Sequence, residues 1–245
     1  MEILETELLA TLSHELRSPL ASVQGYTATL LKHGDSISYD ERHEFLVAIT
    51  DAGRQLETVI DRLFEIAQLE TGMLTLECTD IDLIALIQQA IAQTEDRLQQ
   101  SLLAHSPFTF SLYLEDNERG QIQKGQHIQG DTRRLKEVID HLLENAVLYS
   151  PRGGAIELGI RQQRHLQMVE VWIRDNGIGI PPDLLHRIFG RFHRIDMRLT
   201  RETAGLGLGL TICKHIIELH NGVIWAESAS DKGSIFHILL PLERL

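Results

Sequence analysis

Cysteine is scarce in this chain of 245 residues: Cys78 and Cys213 are the only two. That is too few for a disulfide framework, and no spacing among them and the histidines reads as a zinc site. A reducing compartment is expected. No apolar run approaches the roughly 18 to 20 residues that span a bilayer, and the first residues, MEILETELL, are not a basic segment followed by an apolar one. Basic residues number 23 against 35 acidic ones, for a net charge of -12. No basic stripe is left to hold a phosphate backbone, so nucleic acid is not an expected partner. What is present is ample apolar material, 43% of residues, enough for one or two domains with real cores.

The first organised stretch is LATLSHELRSPLASVQGY, residues 9 to 26. Residues 9, 12, 16, 19, 23, 26 and 30 are apolar or nearly so at alternating spacings of three and four, the seam of a helix packed on other helices. With Leu12 as heptad position d, His14 falls at f and faces solvent. Glu15 is its neighbour and Ser18 stands one turn on, so an acid, an imidazole and a hydroxyl gather within five residues. Pro19 removes a helical N–H and is expected to bend or loosen the helix there. The helix is predicted from about Glu5 to His33. A capping box, Ser38 to Glu41, then opens a second helix to about Gly72. Its own seam runs Phe45, Ile49, Ala52, Leu56, Val59, Leu63, Ile66. Two helices cannot bury two seams, so pairing of hairpins from two chains into a four-helix bundle is expected, the alternative being packing on the rest of the same chain.

From Met73 the pattern changes. MLTLEC reads as a strand, residues 81 to about 100 as an amphipathic helix and FTFSLYL as an alternating strand. Residues 115 to 127 read as a solvated hairpin tip or insertion. Asp131 opens a helix to about Tyr149, AIELGI and LQMVEVWIRD supply strands, and a helix over 208–220 precedes GVIWAES and SIFHILLPL. The expected fold is an α+β sandwich with helices on one face of a mixed sheet.

Four segments of this second part bear chemistry. In HLLENAVLYSP, Asn145 and Tyr149 share a helix face, and an amide oxygen is a hard ligand suited to magnesium. A helical asparagine by itself is usually only surface. DNGIGIPPD places Asp175 at a strand end, able to accept from the exocyclic amine of a base such as adenine. Gly177 and Gly179 allow close backbone approach there, and a new helix is expected after Pro182. IFGRFHRIDMRLTRETA carries Arg191, Arg194, Arg198 and Arg201 just before a glycine string, which suits an anion-facing lid. GLGLGL, with Gly205, Gly207 and Gly209, leads into a helix whose first N–H groups make a phosphate cradle. It fits neither the dinucleotide nor the Walker pattern.

Taken in order, SHELRSPL, LLENAVLYS, DNGIGI, IFGRFHR, GLGLGL and KGSIF resemble a sensor histidine kinase of the two-component systems over nearly the whole chain. The resemblance implies a dimerization and histidine-phosphotransfer domain over 1–72 and a Bergerat-type ATP-binding domain over 73–245. It also implies ATP and Mg2+ as cofactors, phosphorylation of His14 and transfer to an aspartate of a response regulator. Glu15 is then the adjacent base. Ser18 takes the place where the family often has Thr or Asn to position water for dephosphorylating the regulator. Asn145 is the magnesium ligand, Tyr149 lies beside the nucleotide, Asp175 reads adenine with Gly177 and Gly179 shaping its pocket, Arg191 and Arg194 are lid residues, and Gly205, Gly207 and Gly209 line the phosphates. A cytoplasmic location is implied, alone or as the cytosolic part of a longer or membrane-tethered sensor. A degenerate docking module and a plain ATPase are the competing readings.

Two positions depart from the family pattern: His141 stands where Asn is common and Leu148 where Lys is common. Losing the lysine removes a cation that would offset triphosphate charge. Restoring both, His141→Asn with Leu148→Lys, is expected to tighten magnesium-ATP binding by about tenfold, or about 1.4 kcal/mol, in calorimetry; unchanged affinity would refute this.

Overall fold

The structure, a computed structural model, describes residues 2–34, 36–70, 74–100, 107–115, 126–190, 207–229 and 232–242; the side chains of His14 and Glu15 lie outside that description. Its contacts form two compact units, one holding the helices up to Leu74 and one holding Thr75–Ile195 and Gly209–Leu245.

The first unit is an antiparallel hairpin of α1 (Glu2–His33) and α2 (Tyr39–Glu70). On α1 the seam residue Pro19 is buried and Leu16, Val23 and Leu30 are half-buried. On α2, Ala52 and Val59 are buried, with Phe45, Ile49, Leu56 and Leu63 half-buried. The seams meet at Tyr26 and Phe45, whose ring centroids lie 5.2 Å apart. The bend or loosening expected at Pro19 does not end the helix, and α1 continues across it from Glu2 to His33. The ring lies on the buried seam, where packing offsets the one backbone hydrogen bond that proline cannot make. The capping box forms as read. Ser38 N donates to Glu41 Oε2 at 3.0 Å and Glu41 N to Ser38 Oγ at 3.2 Å, and the Ser38 hydroxyl and amide hold the Glu41 carboxyl below its ordinary pKa.

The second unit is a mixed five-stranded sheet beside a two-stranded one. Its elements are β1 (Thr79–Asp82), α3 (Leu83–Gln100), β2 (Phe108–Glu115), β3 (His127–Gly130), α4 (Thr132–Leu148), β4 (Gly154–Gln163), β5 (Met168–Arg174), α5 (Gly209–Leu219), β6 (Val223–Ser228) and β7 (Ser234–Pro241). The main sheet has the order β2-β4-β5-β7-β6, parallel between β2 and β4 and antiparallel elsewhere, while β1 pairs with β3. Alternate residues of each strand form the core: Ile156, Leu158 and Ile160 on β4, Val169, Val171 and Ile173 on β5, and Phe236, Ile238 and Leu240 on β7 are all buried. Ile87, Leu142, Leu143, Ile216 and Ile217 of the three helices are buried with them.

Four expectations need correction here. Of MLTLEC, the described residues 74–78 form no strand; the ladder begins at Thr79. Glu77 N instead donates to Asp131 Oδ2 at 3.0 Å, so a side chain takes the place of a neighbouring strand. The strand over 127–130, which closes that ladder, has no alternating apolar pattern and was not expected. After Pro182 there is no α-helix but a run of turns, with Leu184 N bonded to Pro181 O, Arg187 N to Leu184 O and Gly190 N to Arg187 O. Each closes over three residues, the spacing of a 3₁₀ turn and not the four-residue spacing of an α-helix. Of the hairpin tip or insertion expected over 115–127, Glu115 ends β2 and His127 begins β3 in a different sheet, so the two do not form a hairpin, while residues 116–125 lie outside the described residues.

Asp131 caps α4, accepting from Arg134 N at 3.1 Å, while its own N–H donates to Nε2 of buried His220 at 2.9 Å. His220 in turn donates through Nδ1 to Ile216 O at 2.7 Å. The start of α4 and the end of α5 are thereby joined. Burial opposes ionisation of Asp131, yet the backbone N–H groups of Glu77, Arg134 and Arg133 outweigh it and leave the carboxyl below its ordinary pKa.

The outer face of the main sheet carries one lateral row across all five strands: Tyr113, Gly159, Trp172, His237 and Trp225 are successive cross-strand partners. Trp225 stacks on His237 at 4.8 Å, and Tyr113 on Trp172 at 6.1 Å. A Cβ at Gly159 would lie 2.1 Å from the Trp172 ring, so only glycine lets the indole lie flat across β4. Gly159→Ala is expected to destabilise the fold by about 1–3 kcal/mol through overpacking; a denaturant midpoint equal to that of the unaltered chain would show that the indole can move aside.

Candidate functional site

Polar groups of the second unit gather where the end of β5, the end of α4 and the β6–β7 hairpin meet. Asp175 follows β5 and is only 4% exposed. Its Oδ1 accepts from Gly177 N at 2.8 Å and from Ser234 N at 3.2 Å, and its own N–H donates to Ser234 O at 2.9 Å. Among the described residues both donors serve Oδ1 and none serves Oδ2. One carboxylate oxygen is thus occupied by the fold, and the other can accept from a ligand. Burial pushes the Asp175 carboxyl above its ordinary pKa, and the two backbone amides pull part of the way back.

The glycines of DNGIG are needed for contacts within the protein. A Cβ at Gly177 would lie 2.2 Å from Tyr149 O, and one at Gly179, where φ is +69°, would lie 2.0 Å from Ala229 O. Ile178 N donates to that same Tyr149 carbonyl at 3.0 Å. Gly233, with φ +75°, would place a Cβ 2.0 Å from Asp175 O. The loop is therefore clasped between the end of α4 and the β6–β7 hairpin, and close backbone approach is to backbone.

On α4, Asn145 and Tyr149 are half-buried one turn apart, and Tyr149 N caps the helix by donating to Asn145 O at 2.9 Å. Leu148 is exposed. His141, one turn before Asn145, presses its imidazole on the first residue of α5: a Cβ at Gly209 would lie 1.9 Å from His141 Nε2. The helix carrying the candidate magnesium ligand and the helix whose N-terminal amides could hold phosphate therefore touch through His141. Thr211 Oγ1 of α5 also bonds Phe189 O at 3.3 Å, at the end of the run of turns. Gly207 has φ +64°.

Arg191, Arg194 and Gly205 lie outside the described residues, as do the side chains of His14 and Glu15; Ser18 is exposed on α1. Among the described residues no group of three His, Cys, Asp or Glu side chains could hold a metal ion. The amide oxygen of Asn145 is a hard donor of the kind magnesium accepts beside phosphate and water oxygens. Sequence reasoning missed Ser228, Gly233 and Ser234, which shape the Asp175 site; KGSIF was visible as a motif, but nothing in the sequence pairs Gly233 with Asp175. It also missed Ser150, whose buried hydroxyl has no hydrogen-bond partner among the described residues.

Residues 4–72 match the family model of the "His Kinase A (phospho-acceptor) domain", and residues 130–244 match that of the "Histidine kinase-, DNA gyrase B-, and HSP90-like ATPase". The circadian input-output histidine kinase CikA of Synechococcus elongatus is 30% identical over 239 residues, covering 98% of this chain and 30% of its own length. The chain belongs to the sensor histidine kinases. The sensor histidine kinase WalK of Bacillus subtilis is 28% identical over 235 residues, covering 96% of this chain and 36% of WalK. This chain thus spans about a third of the length of those relatives. Among solved structures, that of the histidine kinase ThkA in complex with the response regulator protein TrrA superimposes with a TM-score of 0.67 at 26% identity, over 96% of this chain and 61% of that one. In this histidine kinase His14, Glu15 and Ser18 fall within the phospho-acceptor match, and Asn145, Tyr149, Asp175, Gly177 and Gly179 within the ATPase match. No helix among the described residues is long and apolar enough to cross a membrane.

A carboxyl whose folded pKa is raised costs stability once it is ionised. That cost is full above the folded pKa and vanishes as pH falls below the unfolded value near 3.8. Asp175→Asn keeps the Oδ1 acceptor and removes the charge. It is expected to raise the melting temperature of the nucleotide-free chain at pH 7, with the gain vanishing below about pH 4. It is also expected to weaken ADP binding about ten- to a hundredfold, since a buried acceptor is exchanged for a donor. Calorimetry across pH checks both halves.

Proposed function

We propose that this chain is the catalytic core of a two-component sensor, using magnesium-ATP to phosphorylate His14 and passing the phosphoryl group to an aspartate of a response regulator. What carries the reading is the presence of a phospho-acceptor match and an ATPase match in one chain, at residues 4–72 and 130–244. The solved complex of ThkA with its response regulator protein supports the partner class.

Adenine is read by Asp175 Oδ2, the acceptor that the loop leaves over, while Tyr149 lies beside the nucleotide. The phosphates are held by the amides of Gly205, Gly207 and Gly209 ahead of α5, with Arg191 and Arg194 offsetting their charge. Asn145 holds the magnesium ion, which when bound neutralises charge on the phosphate oxygens. A nitrogen of His14 attacks the γ-phosphorus; the N–P bond forms as the bond to the β,γ-bridging oxygen breaks, ADP leaves, and Glu15 takes the ring proton. Phosphoryl transfer asks mostly for positioning, which separates His14 on one domain from the donor on another. Ser18 keeps a hydroxyl that positions water for dephosphorylating the regulator.

The hairpin acts as a homodimer. Leu46, Val47, Ile60 and Phe64 of α2 and Leu20 and Leu31 of α1 remain exposed on it, more apolar surface than an isolated helix pair keeps in water.

The test is incubation with [γ-32P]ATP and magnesium. Acid-labile, alkali-stable label on the protein is expected, and its loss in His14→Ala. ATP turnover without label would instead indicate a plain ATPase, and neither would indicate a docking module.

A further inference from the structure

A single hydroxyl at the end of β6 ties together the three segments that frame Asp175. Ser228 Oγ accepts from Ile180 N at 2.7 Å and donates to Gly233 O at 2.7 Å. It also lies 3.0 Å from Ser234 Oγ. A hydroxyl has one proton and two acceptor sites. With that proton on Gly233, Ser234 is the donor in the serine pair, and every hydrogen-bonding position of Ser228 is filled. Each partner is one step from Asp175. Ile180 closes the loop that starts at Asp175, Gly233 stacks its backbone on Asp175 O, and Ser234 N is one of the two donors to Asp175 Oδ1.

We propose that Ser228 is a positioning residue for base recognition, setting adenine affinity and selectivity by clamping the Asp175 loop to the β6–β7 hairpin. The proposal rests on the reading of Asp175 as the adenine acceptor. Ser228 itself touches no ligand in this scheme. Its removal would leave the N–H of buried Ile180 and the carbonyl of Gly233 without their partner. The loop would then spend less time in the shape that aims Oδ2 at a base, and binding would have to supply that order. The phosphate side, built on α4 and the start of α5, shares none of these hydrogen bonds.

The test compares ADP, GDP and inorganic tripolyphosphate by calorimetry in the full chain with magnesium, well below the melting temperature. Ser228→Ala is expected to weaken ADP about tenfold, or about 1.4 kcal/mol. It should narrow the preference for ADP over GDP and leave tripolyphosphate unchanged. Ser228→Thr, which keeps the hydroxyl, should restore ADP affinity to within about twofold. If Ser228→Ala does not fold, Ser228→Cys, of similar size and with a far weaker hydrogen-bonding group, takes its place in the same comparison. Equal weakening of ADP and tripolyphosphate would reduce Ser228 to a general structural role and overturn the proposal. So would unaltered ADP affinity in the serine variants beside a loss in Asp175→Asn. Retention of ADP binding in Asp175→Asn would remove the adenine reading itself, and this proposal with it.

Discussion

Two backbone amides, those of Gly177 and Ser234, converge on one oxygen of a carboxylate that is almost wholly out of water. A buried acid is costly unless the fold supplies donors, and this fold supplies one from the acid's own loop and one from Ser234, 59 residues away from Asp175 in the chain. Much of the nearby backbone is arranged to let those loops meet. Gly177 and Gly179 press on the carbonyls of Tyr149 and Ala229, and Gly233 presses on that of Asp175. At each a methyl group would collide with backbone, which cannot swing aside as a side chain can. What results is a carboxylate with one oxygen spent on the fold and one left over.

The two faces of the main sheet divide the remaining work. Its inner face is a close-packed aliphatic layer under the helices, which holds α4 and α5 rigidly enough for His141 to meet Gly209. Along the outer face the aromatic row from Tyr113 to Trp225 supplies flat apolar bodies. Buried Glu170 beside the row is satisfied by Gln163 Nε2 at 3.0 Å and His237 Nδ1 at 2.8 Å. The helical hairpin is organised differently. Among the described residues it buries Pro19, Ala52 and Val59 and leaves large apolar side chains exposed, surface that a second copy would cover in the proposed homodimer.

The departures from the family pattern take on different weights once the fold is in view. Leu148 is exposed, so the missing lysine leaves no packing trace. His141 is part of a contact between two helices, and its larger ring occupies the space that Gly209 leaves free. Exchanging it for asparagine would alter both the local chemistry and the approach of α5 to α4.

Local signals were readable wherever the physics was local. The capping box of Ser38 and Glu41, the strands at AIELGI, LQMVEVWIRD and SIFHILLPL and the glycine-to-helix junction at Gly209 depend on neighbours within a turn or two and stand in the structure as read, and the described part of the α2 seam is buried or half-buried. The misreadings fall where a distant partner decided. Residues 74–78 look like a strand but Glu77 bonds the Asp131 side chain, and residues 127–130 look like loop until β1 pairs with them. After Pro182, bonds that close over three residues stand where a helix is expected. At the candidate site the chain order already contained Asn145, Tyr149, Asp175 and the glycines, because such residues stand out by type. It held no sign of Ser228, and none of the meeting between Gly233 and Asp175. A serine hydroxyl and a backbone carbonyl look alike everywhere in a sequence, and they gain a role only when folding brings three separate segments within 3 Å of one another.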